Sequence, residues 1–278
     1  MAIFDHHHPW LFTVGILGNI ISICVYLAPM PTFARICKSK STLGFQSLPY
    51  VVALFAAMLW MYYAMLKKDA VLLISINSFG CVVETIYVVI YLVYASKEAK
   101  NYTAKLLASM NVGLFSAIFL LTFFLVKSSH RVLVVGWICV AVSVSAYAAP
   151  LSIVFQVVRT RSVEFMPFTL SFFLTVGAVT WFGYGLLLRD ICVALPNSLG
   201  FFLGLLQMLL YGIYRNAQKV VEEKKQQEHI MNIGMIGGGI PEIHSFDHSQ
   251  QRGRDNHTTV AASQREEPGG QMNLQIPD

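Results

Sequence analysis

The fold class this sequence predicts is an all-α membrane protein with seven spans, and three observations predict it. Charged residues make up 13% of the chain, against about a quarter in a soluble domain. Hydrophobic residues, 55% of the total, gather in blocks long enough for a helix of about 20 residues to cross a hydrocarbon core. The chain also says one thing twice: YLAP at 26–29 returns as YAAP at 147–150.

The blocks place spans at 10–31, 46–66, 71–94, 105–126, 132–155, 166–188 and 191–214, joined by short loops. Ahead of them, residues 1–9 carry only the charge of Asp5 and no basic segment of the kind that opens a cleaved signal, so the first span is expected to be retained. His6, His7 and His8 form a short tract there. Such tracts can bind metal, but a terminal run of this kind is more often inert. Behind the spans, residues 215–278 are rich in Gln, Glu, His and Gly, contain GMIGGGIP and EEPGGQ, and show no helical or strand period; they are expected to be disordered. Cys24, Cys37, Cys81, Cys139 and Cys192 are odd in number and show no metal or disulfide spacing, so they read as small apolar residues. The net charge of +5 is mostly loop charge and implies no nucleic-acid partner.

Loop charge sets the expected orientation. Arg35, Lys38 and Lys40 follow span one; Lys97, Lys100 and Lys105 follow span three; Arg159 and Arg161 follow span five; Arg215 and Lys219 follow span seven. The alternate loops hold only Lys67 and Lys68, then Lys127 and Arg131, then Arg189. The positive-inside bias puts the N-terminus outside and the C-terminus in the cytoplasm. The sequons at Asn101 and Asn256 would then face the cytoplasm unglycosylated.

A shift of 121 residues lays Gly15 on Gly136, Ser22 on Ser143, Tyr26 on Tyr147, Pro29 on Pro150, Trp60 on Trp181, Tyr63 on Tyr184 and Asp69 on Asp190. At a shift of 120, Asn77 meets Asn197, Gly80 meets Gly200 and Tyr91 meets Tyr211. The organisation is therefore a first three-helix repeat at 10–94, a linker helix with its loops at 95–130, and a second repeat at 131–214. Three spans joined directly to three more would invert the second set. The odd fourth span keeps the two sets parallel, about an axis along the membrane normal. Transporters commonly bind solute at the interface of such repeats, near the midplane. The plain alternative is an old duplication that serves packing only.

This 3+1+3 pattern, the YLAP and YAAP repeats, the loop KSKSTLGFQSLPY, its partner RTRSVEFMPF, and VALPNSLG together resemble the plant SWEET (MtN3/saliva) sugar transporters over residues 10–215. The resemblance implies two parallel three-helix bundles joined by a linker helix. It also implies facilitative transport by alternating access, a sucrose-type substrate, homo-oligomers and residence in the plasma membrane.

Counting from the span ends puts Trp60, Asn77, Trp181 and Asn197 in one layer, roughly 9 Å below the outer surface. An indole face packs on the C–H face of a sugar ring, and an amide both donates and accepts as a hydroxyl does. The competing role for each Asn is an interhelical hydrogen bond. The resemblance implies that these four form the substrate site. It further implies that Val25, Ala56, Ala146 and Gly177 line the pocket and bear on mono- versus disaccharide choice. All four are small here, which leaves volume for a disaccharide, whereas sucrose-type relatives often have Ser at positions 56 and 177. Tight helix packing by small residues is the alternative.

Pro29 and Pro150 lie near the cytoplasmic ends of spans one and five, Pro49 and Pro167 near those of spans two and six. Each can relieve helix bonding and permit bending. They resemble the family's proline tetrad, which implies hinges beside an inner gate. Pro49 and Pro167 also suit an ordinary first helical turn. Above the Trp layer, Tyr63, Tyr184 and Asp190 cluster near Lys68 and Asp69, and the resemblance implies an outer gate there. Tyr62 reads instead as part of an interfacial aromatic belt. Glu84 is an acid inside span three whose repeat partner is Gly204. It reads as a hydrogen-bonded structural residue, with proton coupling as the alternative.

The function expected is a sugar uniporter for sucrose, with glucose as a second substrate, needing no cofactor and no metal. The rival is a proton-coupled small-solute transporter of PQ-loop type, for example for amino acids. A receptor is disfavoured by the repeat and the short loops. An enzyme finds no acid pair, metal spacing or activated nucleophile.

Overall fold

The computed structural model describes residues 9–67, 70–163, 166 and 168–236. The chain divides into a unit ending at Glu228, which holds the spans, and a second from His229. Among the described residues the structure is all helical: α1 (Pro9–Leu27), α2 (Met30–Ser39), α3 (Leu48–Leu66), α4 (Val71–Tyr94), α5 (Lys97–Leu106), a π-helical segment (Leu107–Leu114), α6 (Phe115–Leu125), α7 (Ser128–Ala146), α8 (Ala148–Thr160), α9 (Phe168–Leu187) and α10 (Ile191–Ile236). Seven stretches are long and apolar enough to cross a membrane.

The expected spans are all present; span four begins earlier than expected, at Lys97, and three further differences stand out. Spans one and five are longer than expected, covering Pro9–Ser39 and Ser128–Thr160, and each is broken. Proline has no N–H and clashes with the preceding turn. Span one therefore breaks at Ala28 and Pro29, where the Ala28 N–H turns back to the Val25 carbonyl at 3.1 Å. Span five breaks at Tyr147, three residues ahead of Pro150. Both broken helices end in a left-handed residue, Lys40 and Arg161, at repeat-equivalent positions. The third difference lies at the end. Residues beyond 214 were expected to be disordered, yet α10 runs on to Ile236. Residues 237–278 fall outside the described residues, as do Pro167, Lys68, Asp69, Glu164 and the His6–His8 tract.

In the first repeat, α4 packs against both α1 and α3. In the second, α10 holds the same central place. Gly136 of α7 lies against Cys192, and Gly185 of α9 lies against the backbone of Ala194. The two groups meet through α1 on α9 and α3 on α7. No comparable packing joins α2 to α8 among the described residues, so the halves beyond the two breaks stand apart. On the side that carries Lys67 and Asp190 the groups meet closely, with Gly15 facing Tyr184 and Gly136 facing Tyr63.

The spacer, α5 to α6, packs chiefly on α3. Tyr62 is buried and its hydroxyl pairs with that of Thr122 at 2.9 Å, so it ties the spacer to span two and is not part of an interfacial belt. Arg131 donates to the carbonyls of Thr122 (3.0 Å) and Phe123 (2.8 Å), closing the end of α6. The outward faces of α6 and α10 leave Phe124, Leu125 and Phe202 exposed, as a lipid-facing surface requires.

The glycines separate close packing from open space. A Cβ at Gly185 would lie 2.7 Å from the Ala194 nitrogen, whereas one at Gly183 would meet only Val14, at 3.9 Å. Backbone cannot step aside as a side-chain tip can. Gly185→Ala is expected to destabilise the protein by about 1–3 kcal/mol, as overpacking does, and Gly183→Ala by about 0.5 kcal/mol or less. Thermal unfolding of the purified protein in detergent checks this through the difference between the two midpoints.

Candidate functional site

All four residues of the expected layer line one cavity of about 180 Å³ between the two groups of helices: Trp60 from α3, Asn77 from α4, Trp181 from α9 and Asn197 from α10. The pairing follows the repeat down to single atoms. Trp60 Nε1 donates to Ser143 Oγ at 3.1 Å, and Trp181 Nε1 donates to Ser22 Oγ at 2.9 Å. Each indole thus crosses to the opposite repeat. Asn77 Nδ2 donates to the Leu73 carbonyl (2.8 Å) and Asn197 Nδ2 to the Val193 carbonyl (2.7 Å). Neither amide is used as an interhelical bond. Each is anchored to its own helix one turn back, with its oxygen and second N–H left for whatever occupies the cavity.

Tyr26 and Tyr147, at the two helix breaks, also line the cavity. They fit because of two glycines. A Cβ at Gly80 would lie 2.5 Å from Tyr26 Cζ, and one at Gly200 would lie 2.7 Å from Tyr147 Oη. The Tyr147 hydroxyl donates to the Pro196 carbonyl at 2.6 Å. On the proline side a second chamber of about 350 Å³ joins the first, sharing Ser22, Tyr26, Tyr147, Trp181 and Asn197 and reaching Val25, Pro150 and Gly177.

The small-residue expectation is met unevenly. Val25 and Gly177 line the second chamber, while Ala56 and Ala146 line neither cavity. The prolines divide as well. Pro29 and Pro150 stand at helix breaks; Pro49 sits in the first turn of α3 and interrupts no helix. Glu84 lines neither cavity. It is buried in α4, and its Oε2 has no hydrogen-bond partner, so the hydrogen-bonded role expected for it is not seen at that oxygen.

On the opposite side the expected cluster is closed. Tyr63 Oη reaches both oxygens of Asp190, at 2.9 and 2.8 Å, and Lys67 pairs with the same carboxylate. Asp190 is also the N-cap of α10. Its Oδ1 accepts from the N–H groups of Cys192 (3.0 Å) and Val193 (3.3 Å). A buried carboxylate so surrounded is satisfied as an ion, where an unpaired one would be costly. Tyr184 is the repeat partner of Tyr63. Its ring packs edge-on to Trp181 at 5.3 Å, as that of Tyr63 does to Trp60 at 5.6 Å.

Sequence reasoning missed Ser22, Ser143, Tyr26 and Tyr147 as site residues, although the repeat alignment marks them as matched polar positions inside spans. It missed Pro196 inside the quoted VALPNSLG. Lys67 carried no signal, because its repeat equivalent is Leu188.

A family model described as "Sugar efflux transporter for intercellular exchange" matches residues 12–99 and again residues 133–219. The chain belongs to this family, the SWEET (MtN3/saliva) transporters. The two matched stretches are the two repeats, with the spacer between them. Among its SWEET relatives is the bidirectional sugar transporter N3 of Medicago truncatula, 63% identical over 221 residues, or 79% of this chain and 82% of that protein. The bidirectional sugar transporter SWEET13 of Arabidopsis thaliana is 57% identical over 84% of this chain and 81% of its own. SWEET13 of Oryza sativa subsp. japonica is 53% identical over 87% and 85%. A solved eukaryotic SWEET transporter superposes with a TM-score of 0.70 at 33% identity, covering 74% of this chain and 97% of its own. The protein is thus a multi-pass membrane protein of a transporter family, not an enzyme.

Asp190 does two things at once, and two substitutions separate them. Asp190→Asn keeps an oxygen for the α10 cap and removes the charge that Lys67 faces. Asp190→Ala removes both. Asp190→Ala is expected to lower stability by about 1 kcal/mol more than Asp190→Asn, the typical cost of a lost N-cap. The midpoints of the two variants in the same detergent test it.

Proposed function

We propose that this protein is a bidirectional facilitative transporter, a uniporter, that moves sucrose, and glucose as a second substrate, across the plasma membrane by alternating access. The observation that carries the reading is the central cavity. Two indoles and two anchored amides, one of each from either repeat, face a space that holds no charged side chain among its lining residues. Such a surface matches a neutral polyhydroxylated ring. The indole faces take its C–H faces, and the amides take its hydroxyls. An amino-acid zwitterion would call for a helix terminus or an ion at that depth. The names of the relatives likewise favour sugar over a proton-coupled amino-acid substrate.

With the N-terminus outside and the C-terminus in the cytoplasm, the Tyr63–Asp190–Lys67 cluster is the outer gate and the open side is cytoplasmic. The state described is then inward-facing. Pro29 and Pro150 are the hinges about which α2 and α8 would swing together as the outer cluster parts; Pro49 and Pro167 complete the tetrad at the starts of spans two and six. No ion-coupling site lines the path among the described residues, so net flux follows the sugar gradient. Each protomer would carry its own path within a homo-oligomer.

The test is uptake and efflux of labelled sucrose and glucose in cells lacking their own sugar carriers, with and without a protonophore. Flux in both directions, indifferent to the protonophore, is expected. Asn77→Ala and Asn197→Ala should each lower it at least tenfold at equal surface expression. Flux that collapses with the proton gradient would overturn the uniport reading and bring Glu84 into the mechanism.

A further inference from the structure

The loop that follows span one differs from its repeat partner in length, shape and exposure. Ser41 and Pro49 match Ser162 and Pro167, and the first interval is three residues longer. In the second repeat the chain turns inward. Val163 and Met166 are buried in a cluster with Val154, Val157 and Leu210, so the end of α8 is tied to its own group of helices. In the first repeat the chain turns outward. Leu43 and Phe45 are 53% and 41% exposed, and Gly44 and Gln46 are exposed as well. This exposure is built in. Leu43 stands at φ 52° and Gly44 at φ 80°, in the left-handed region that a leucine rarely enters. The backbone around them is fastened at several points. Ser41 Oγ accepts from the Leu43 N–H at 3.3 Å, the Thr42 carbonyl from the Phe45 N–H at 2.9 Å, and the Phe45 carbonyl from the Tyr91 hydroxyl at 3.0 Å. Just beyond, the hydroxyls of Ser47 and Thr103 share a hydrogen bond of 2.7 Å that fixes the loop to α5. Charge of one sign lies beside the two apolar side chains. Between Met30 and Tyr50 the sequence has Arg35, Lys38 and Lys40 and no acid. All three cations are exposed, and none is in an ion pair among the described residues.

We propose that this loop is a membrane hook: Leu43 and Phe45 enter the interfacial layer of the cytoplasmic leaflet, and Lys38 and Lys40 bind the phosphates of its anionic lipids. The loop joins the ends of two membrane-length stretches, Pro9–Ser39 and Leu48–Leu66, so it stands at a bilayer surface. Left in water, a leucine and a phenylalanine held outward on a fixed backbone would form an exposed apolar patch. The interface takes such side chains at the boundary between headgroups and acyl chains, and lysines beside them reach the headgroups. The cytoplasmic leaflet carries the anionic lipid that a stretch of cations without an acid attracts. The hook makes the two broken helices unequal. The end of α2 is held by the bilayer, and the end of α8 by the core of the second repeat. Which leaflet is concerned follows from the orientation proposed above; the insertion itself depends neither on that orientation nor on transport.

The experiment uses the full-length protein in vesicles with the same lipid in both leaflets and no sugar. Leu43→Trp and Phe45→Trp are made singly, and the emission that each adds to that of the wild type is followed. Vesicles of phosphatidylcholine are compared with vesicles of phosphatidylcholine and phosphatidylserine. The added emission is expected to be blue-shifted, to be lost to lipids brominated near the headgroup end of their chains, and to resist aqueous iodide in the phosphatidylcholine vesicles. The loss to brominated lipid is expected to be greater with phosphatidylserine, and Lys38→Gln together with Lys40→Gln should abolish that difference. Quenching by iodide and not by brominated lipid places the loop in water, where a soluble protein would meet it, and overturns the hook. Equal lipid quenching in the two kinds of vesicle overturns the part given to the lysines. If one tryptophan variant does not fold, the other decides by the same readings.

Discussion

A proline inside a membrane helix frees a carbonyl that lipid cannot satisfy, and much of this structure follows from where three of them stand. Pro29, Pro150 and Pro196 each lack the N–H that the residue four back would bond. The chain answers locally at Val25, whose carbonyl takes the Ala28 N–H. Beside the prolines, tyrosine hydroxyls add bonds to carbonyls of neighbouring helices. Tyr87 bonds the Tyr26 carbonyl at the first break, and Tyr147, at the second, bonds the Pro196 carbonyl. Irregular backbone at membrane depth is tolerated where it is buried in protein or lines a cavity. The breaks at Tyr26–Pro29 and Tyr147–Pro150 lie where the two cavities run. The cavity and the helix breaks are one feature seen from two sides.

The second organising element is exchange across the repeat axis. Each Trp sits on one repeat and donates to a Ser of the other. These bonds lie between the cluster at Asp190 and the proline side. The charged cluster behaves differently. It draws Tyr63 and Lys67 from the first repeat onto Asp190 of the second, and it ties that carboxylate to the start of α10. Parting it exposes a carboxylate, an ammonium and a phenol to water, where all three are well solvated. Such a cluster costs less to part in water than in a hydrocarbon environment.

Near-symmetry makes the departures informative. Duplicated sequence places equivalent side chains in equivalent positions, as Trp60 and Trp181 or Gly80 and Gly200 show. Where the copies differ, the space differs. Where the first repeat has Glu84 and Tyr87, the second has Gly204, packed close against Thr175, and Gln207. The partner of Asp190 comes from a lysine with no counterpart. Alternating access needs only matched halves. Recognition of a solute without two-fold symmetry needs them to differ.

The sequence by itself determined the spans, the repeat and the residues of the central layer, because each is a local or periodic property. Apolar length decides what can cross a bilayer, and a fixed offset between matched residues decides which side chains share a depth. Trp60, Asn77, Trp181 and Asn197 were legible for that reason. The tertiary structure alone decided whether each candidate meets the space between the repeats. Ala56 and Ala146 match Gly177 and Val25 in size and offset yet line neither cavity, because facing depends on helix rotation and on the breaks at Ala28 and Tyr147. It also decided every partnership across helices: Lys67 with Asp190, Tyr62 with Thr122, each indole with its serine. Those pairings join positions dozens of residues apart, and no spacing rule reaches that far. They are fixed by which helix packs on which, and in a protein whose helices all look alike to lipid, that choice is made by side-chain shape at the contacts.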